Sequence, residues 1–203
     1  MKLIIPSIIA KSQSELDRRI KKVKSQKIIQ LDVMDGKFVK NKSFQFDFKL
    51  PKAKYEAQLM VKDPESWINQ HGKKVNIIIF HIESTKQPKK IINQIKKLKK
   101  KVGIALNPRT PLKKIKPYLK YADMILFMTV YPGSYGAKFQ EFTLKRIKEL
   151  RKISKIQIEV DGGISPKTIK QAAEAGANRF VVGSYLQKTK KVSKAVKTLQ
   201  GKW

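Results

Sequence analysis

The sequence predicts an α/β fold, a single (β/α)8 TIM barrel shortened after its second strand. Short apolar runs alternate with amphipathic lysine-rich runs along all 203 residues, the rhythm of a parallel sheet covered by helices. There are eight such apolar runs, and eight regular units in so short a chain favour closure over an open doubly wound sheet. Two of the runs, residues 28–36 and 156–163, end alike at an acid followed by glycine. Each reads as a buried strand that delivers a carboxylate to a loop.

The elements follow in order. Residues 3–9 form strand one, and a helix over 14–24 follows with Ser12 or Ser14 as its cap. Strand two covers 28–33. Residues 37–54 then hold Phe44, Phe46, Phe48 and Pro51 in alternation without a helical period, so the second helix is lost or reduced to a turn. Strand three covers 57–61, and Asp63-Pro64 opens a short helix as a cap and first-turn pair. Strand four covers 77–82, with a helix over 88–100. Strand five covers 102–106, and Pro117 kinks or splits the helix predicted over 111–121. Strand six covers 124–130 and its helix 142–153. Strand seven covers 156–160, and Ser165-Pro166 starts a helix that runs through Ala175. Strand eight covers 180–182, with a last helix near 190–199. No composition break divides the chain, so residues 1–203 are expected to form one domain.

Composition narrows the classes of function. With 41% hydrophobic residues the chain can build a sizeable core. The absence of cysteine excludes disulfides, thiolate metal sites and a cysteine nucleophile, and is compatible with a cytoplasmic protein. Lys2 followed by apolar residues to Ala10 has a trace of a signal peptide, but Pro6 interrupts the run and no cleavage site follows. No apolar stretch approaches the roughly 18 residues that would span a membrane. Net charge is +31, from 46 basic and 15 acidic residues. Only six of the basic residues are arginine, and the lysines are spread over several helices rather than gathered in an arm or tail. That pattern reads as a coat on helix surfaces, without a module for specific nucleic-acid recognition. A positive surface still draws in a phosphorylated small molecule.

In a barrel of this kind the active site lies at the C-terminal ends of the strands. In order, those ends present Ser7, Asp32, Met60, His81 with Glu83, Asn107, Met128 to Pro132, Asp161 and Gly183-Ser184. Met34, Met60 and Met128 all fall at this rim, which suits an apolar lining over a ligand. Asp161-Gly162-Gly163 and Gly183-Ser184 close strands seven and eight, where such barrels usually hold phosphate on backbone N–H groups. Gly133, Ser134, Tyr135 and Gly136 follow strand six as a glycine-rich loop that could close over a ligand. Asp32 and Asp161 can act on opposite faces of one substrate.

Pro6-Ser7-Ile8, Leu31-Asp32-Val33-Met34-Asp35-Gly36-Lys37-Phe38-Val39, Asn107-Pro108, Met128-Thr129-Val130-Tyr131-Pro132-Gly133, Glu159-Val160-Asp161-Gly162-Gly163-Ile164 and Val182-Gly183-Ser184 follow one another along the chain. In these segments and their order the chain resembles the ribulose-phosphate 3-epimerase family. The resemblance implies an isomerase of the pentose phosphate pathway that interconverts ribulose 5-phosphate and xylulose 5-phosphate by moving the proton at C3. Asp32 would be the base on one face and Asp161 the acid on the other. Ser7 would contact substrate, and Gly133 to Gly136, Gly162, Gly163, Gly183 and Ser184 would hold the loop and phosphate. The expected partner is therefore a small-molecule sugar phosphate, with no specific nucleic acid and no membrane. Homo-oligomer formation stays open.

The chain departs from the family at the metal. Family members bind one divalent cation through two aspartates and two histidines, and both histidine positions are glutamine here, Gln30 and Gln58. A neutral amide is a weak ligand through its oxygen. Any metal held by Asp32, Asp161, Gln30 and Gln58 would be a hard cation such as magnesium, manganese or calcium, and weakly bound. The expectation is reduced or absent metal dependence, with the two amides donating to substrate oxygens. His81 is read as a buried residue that orients its neighbours, with metal ligation as the alternative, and His71 as a helix-end residue. A homologue that binds sugar phosphate without turning it over, and an epimerase of a six-carbon ketose phosphate, remain alternatives.

Overall fold

The computed structural model describes residues 2–133 and 136–203. The sheet runs β1 (Leu3–Ile8), β2 (Ile29–Asp35), β3 (Lys42–Ser43), β4 (Tyr55–Met60), β5 (Ile77–His81), β6 (Lys101–Leu106), β7 (Met124–Met128), β8 (Gln157–Asp161) and β9 (Arg179–Val182). All but β3 are parallel, and β1 pairs with both β2 and β9, which closes the barrel. β3 is a two-residue antiparallel addition to the end of β2, pairing Met34 with Ser43. The closed eight-stranded α/β barrel is as expected, with each strand within a few residues of its predicted place.

Closure sorts the strand residues into two layers because successive side chains point to opposite faces. Outward residues such as Leu31, Val33, Ile78, Phe80, Ile104 and Phe127 pack under the helices in one continuous core. Inward residues including Ile5, Ile77, Ile79, Leu126, Met128 and Val181 fill the barrel.

The surrounding helices are α1 (Gln13–Val23), α2 (Pro64–His71), α3 (Pro88–Lys97), α4 (Thr143–Ile153), α5 (Ile169–Glu174), α6 (Ser184–Lys188) and α7 (Val192–Gln200). Ser12 caps α1 by accepting from the Glu15 N–H, and Glu15 reaches back to the Lys11 N–H. Asp63 caps α2 through the Ser66 N–H, with Pro64 in the first turn. Pro117 falls where the predicted helix after β6 breaks into two 3-10 turns, Leu112–Lys114 and Lys116–Tyr121. The helix expected from Ser165-Pro166 begins later, at Ile169, because Ser165 and Thr168 first close a turn on each other. The five-residue α6 was not legible in the sequence.

The missing helix after β2 has a replacement. Phe44, Phe46 and Phe48 pack together with ring centroids 5.3 to 6.2 Å apart, and Phe44 and Phe48 are fully buried. Gln13 of α1 holds this segment by accepting from the Lys49 N–H and donating to the Lys49 carbonyl. Three rings thus cover the part of the core that a helix covers elsewhere.

One charged layer crosses the barrel interior. Arg179 on β9 donates Nε to Glu159 on β8 at 2.6 Å and Nη2 to Glu56 on β4. Burial, with the Glu159 charge beside it, pushes Glu56 well above the usual carboxylate range. One guanidinium therefore serves two buried carboxyls, of which Glu56 holds its proton more tightly than an exposed glutamate. Arg179→Met would leave the two acids unpaired in the interior, and a loss of about 3–5 kcal/mol is expected. Thermal and denaturant unfolding check this, and an unchanged melting temperature would contradict it.

Candidate functional site

The end of the barrel towards which every parallel strand runs holds a cleft. Ser7, Asp32, Met34, Met60, Met128, Gly133, Gly136, Asp161, Gly162, Gly163, Gly183 and Ser184 line it. Twelve positions singled out from the sequence thus meet in one place. Gln30 and Gln58 lie just beneath the lining and are fully buried. Ser134 and Tyr135 lie outside the described residues. Val130 and Pro132 of the strand-six rim line it as well; Ile9, Ile164 and Val181 also do, and their apolar side chains carried no signal that separates lining from core.

The two carboxylates converge through a single atom. Gln30 Nε2 donates to Asp32 Oδ1 at 2.8 Å, to Asp161 Oδ2 at 3.1 Å and to Gln58 Oε1 at 2.9 Å. Strand register explains the meeting. Asp32 and Gln58 are partners across β2 and β4, and Gln30 sits one inward step below Asp32 on its own strand. Gln58 turns its nitrogen towards His81 Nε2 at 3.0 Å and Met128 Sδ at 3.0 Å. That differs from the expectation that both amides face the ligand: the nearest acceptors for Gln58 lie on β5 and β7.

Burial raises the proton affinity of both acids. It pushes Asp32 from an ordinary 3.8 up to about 6, partly opposed by hydrogen bonds from Gln30 and Ser7. Asp161 is raised well above the usual range by burial and by the Asp32 and Glu159 charges. The two acids are thus unlike in proton affinity, with Asp161 the more strongly raised, as proton transfer on two faces requires.

The glycines after β8 are demanded by space. Gly162 has φ +112°, and an added Cβ would lie 2.3 Å from Val130 Cγ2. Thr129, a residue the sequence reading gave no role, fixes this turn by donating its hydroxyl to the Asp161 and Gly162 carbonyls at 3.0 and 2.5 Å. Asp35, the last residue of β2, accepts from the Lys37, Phe38 and Lys62 N–H groups and so shapes the loop rather than the cleft.

The family model for the ribulose-phosphate 3 epimerase family matches residues 3–187. The chain belongs to the ribulose-phosphate 3-epimerase family. It is 34% identical over 193 residues to the ribulose-phosphate 3-epimerase of Schizosaccharomyces pombe, covering 89% of this chain and 85% of that one. It is 36% identical to the Synechocystis enzyme of the same name, over 90% and 86% of the two chains. A 35% identical relative from Arabidopsis thaliana, covering 98% of this chain and 76% of its own, is named as chloroplastic, so membership carries no single compartment. In fold the chain is similar to 3-hexulose-6-phosphate synthase from Salmonella typhimurium, with a TM-score of 0.71 at 17% identity, covering 99% and 97% of the chains. The family is one of isomerases, and membership supports sugar-phosphate epimerase activity. Among the described residues no helix is long and apolar enough to cross a membrane.

The family's divalent metal does not fit the side chains present. A cation needs lone pairs where Gln30 presents an N–H between the two carboxylates. The Gln30 oxygen is buried elsewhere without a partner, and the Gln58 oxygen is occupied by Gln30. Among the described residues no three His, Cys, Asp or Glu side chains gather as a metal site. His81 faces Gln58 rather than the carboxylates. His71, at the end of α2, packs its ring on Phe48 and Trp67 with centroids 5.1 and 5.4 Å away.

The raised Asp32 pKa has a consequence for stability. The unfolded carboxyl ionises near 3.8 and the folded one near 6, so stability falls as pH rises through that window and stays lower above it. Asp32→Asn removes this penalty. The variant is expected to gain on the order of 2–3 kcal/mol at about pH 7 and little at about pH 4, as measured by denaturant unfolding at both pH values. An equal effect at the two pH values would contradict the burial of an ionised Asp32.

Proposed function

We propose that the chain interconverts ribulose 5-phosphate and xylulose 5-phosphate by two-aspartate proton transfer, without depending on a metal ion. The observation that carries this reading is the single Gln30 N–H group set between two carboxyls of unlike proton affinity. The ionised Asp32 takes the C3 proton from one face of the ketose, and an enediolate forms. Asp161 gives its proton to C3 from the other face, which inverts the centre. The negative charge has then passed from Asp32 to Asp161. Gln30 donates to both, so the same amide serves whichever carboxyl is charged, and no reorganisation accompanies the transfer.

The remaining roles follow from the cleft. Ser7 donates to Asp32 and lies within reach of the sugar. Backbone at Gly162, Gly163, Gly183 and Ser184 receives the phosphate. Met34, Met60 and Met128 keep water from the enediolate. The lysine surface raises the local concentration of the dianionic substrate. A cytoplasmic location rests on the cysteine-free composition alone.

A coupled epimerase assay tests this directly. Turnover should persist in excess chelator, and Asp32→Asn or Asp161→Asn should each lower kcat by about 10²–10⁴-fold. Wild-type activity lost in chelator, or retained in both variants, would overturn the reading. The kcat/KM profile should rise through an apparent pKa of about 6 as Asp32 ionises and fall at higher pH as Asp161 loses its proton; a flat acid limb would contradict the assignment. Restoring imidazole with Gln30→His and Gln58→His together should make turnover chelator-sensitive.

A further inference from the structure

Gln30 and Gln58 can be wired in two ways, nitrogen inward or oxygen inward, and only one of them gives the carboxylates a donor. The choice is made at the far end of Gln58. Its amide lies 3.0 Å from Met128 Sδ, and a thioether has no proton to give, so Gln58 must turn its nitrogen there. Its oxygen then faces Gln30 at 2.9 Å and can only accept, so Gln30 must present Nε2. That nitrogen is the one that reaches Asp32 and Asp161. In the opposite wiring the Gln58 oxygen would face the sulfur, lone pair against lone pair, and the ionised Asp32 would lose its Gln30 donor.

His81 completes the constraint. Its Nε2 lies 3.0 Å from the Gln58 nitrogen, and a donating amide needs that ring nitrogen to carry no proton. The ring proton then sits on Nδ1, 3.4 Å from Glu83 Oε2. Glu83 is anchored by the Asn107 N–H at 2.8 Å and by the Thr110 hydroxyl. The Phe38 ring, 4.9 Å away, covers the imidazole, which is fully buried.

We propose that Met128 and His81 are positioning residues that set the amide polarity of the Gln58–Gln30 pair. Through two side chains they aim one N–H group at the Asp32–Asp161 pair and turn the amide oxygens away from the place a cation would take. The effect on turnover rests on the proposed epimerase reading; the tautomer of His81 does not.

The first test therefore needs no activity. Long-range 1H–15N NMR of the wild-type protein, labelled at its two histidines, reads the protonation of each ring nitrogen, with His71→Gln assigning the signals. The expected result is a pyrrole-type Nδ1 and a pyridine-type Nε2 for neutral His81. A pyrrole-type Nε2 would overturn the proposal even if the protein is an active epimerase. The second test compares His81→Leu with His81→Gln, whose carbonyl can still accept from Gln58. His81→Leu should lower kcat about tenfold or more with KM changed by no more than about twofold, and His81→Gln should recover most of the loss. An unchanged kcat in His81→Leu, or no recovery in a folded His81→Gln protein, would overturn it. A wild type without epimerase turnover would overturn the proposed function and leave the tautomer result standing.

Discussion

The Gln30 side-chain nitrogen lies within 3.1 Å of two carboxyl oxygens that come from opposite parts of a closed barrel. Carboxylates buried so close together repel each other, and each loses its water. Something must offset that, and in this chain it is an amide N–H and a shared proton. The strand register, the inward parity of Gln30 and Gln58, and the contacts of Met128 and His81 all serve to bring that N–H to the right place. That N–H lowers the proton affinity of both acids and so partly offsets their burial.

The cost of this polar interior falls on a protein with a large apolar shell. Below the dyad, Arg179, Glu56 and Glu159 form a second charged layer, so polar groups run down the middle of the barrel at two levels. A buried ion pair is weak evidence for stability in itself. The continuous outer core between sheet and helices carries the folding free energy. Rigid strands anchored in that core give the site its precision, and the loops beyond them supply glycine turns such as Gly162, where no larger residue fits.

Much of the fold was legible because period-2 apolar runs and capped amphipathic helices are local signals. Ser12, Asp63 and Pro117 each acted where their chemistry said they would. The clustering of Asp32, Asp161 and the rim methionines was legible too, since parallel strands bring their C-terminal ends together. What could not be read was pairwise and non-local. That Arg179 would meet Glu56, 123 positions away in sequence, depends on barrel closure. That Gln58 would turn to His81 and Met128 depends on which acceptors surround one amide, and sequence spacing is silent on that. The aromatic triplet Phe44, Phe46 and Phe48 was visible, but its role as a substitute for a helix appears only when the surface it covers is in place.

Neutron diffraction from deuterium-exchanged crystals tests the central contact most directly, since it locates the protons themselves. The expected map has deuterium on the Gln30 atom between the two carboxyl groups and a single deuteron on the dyad, held by Asp161. An amide oxygen at that position, with a metal ion between Asp32 and Asp161, would contradict the arrangement and return this site to the metal chemistry of its family.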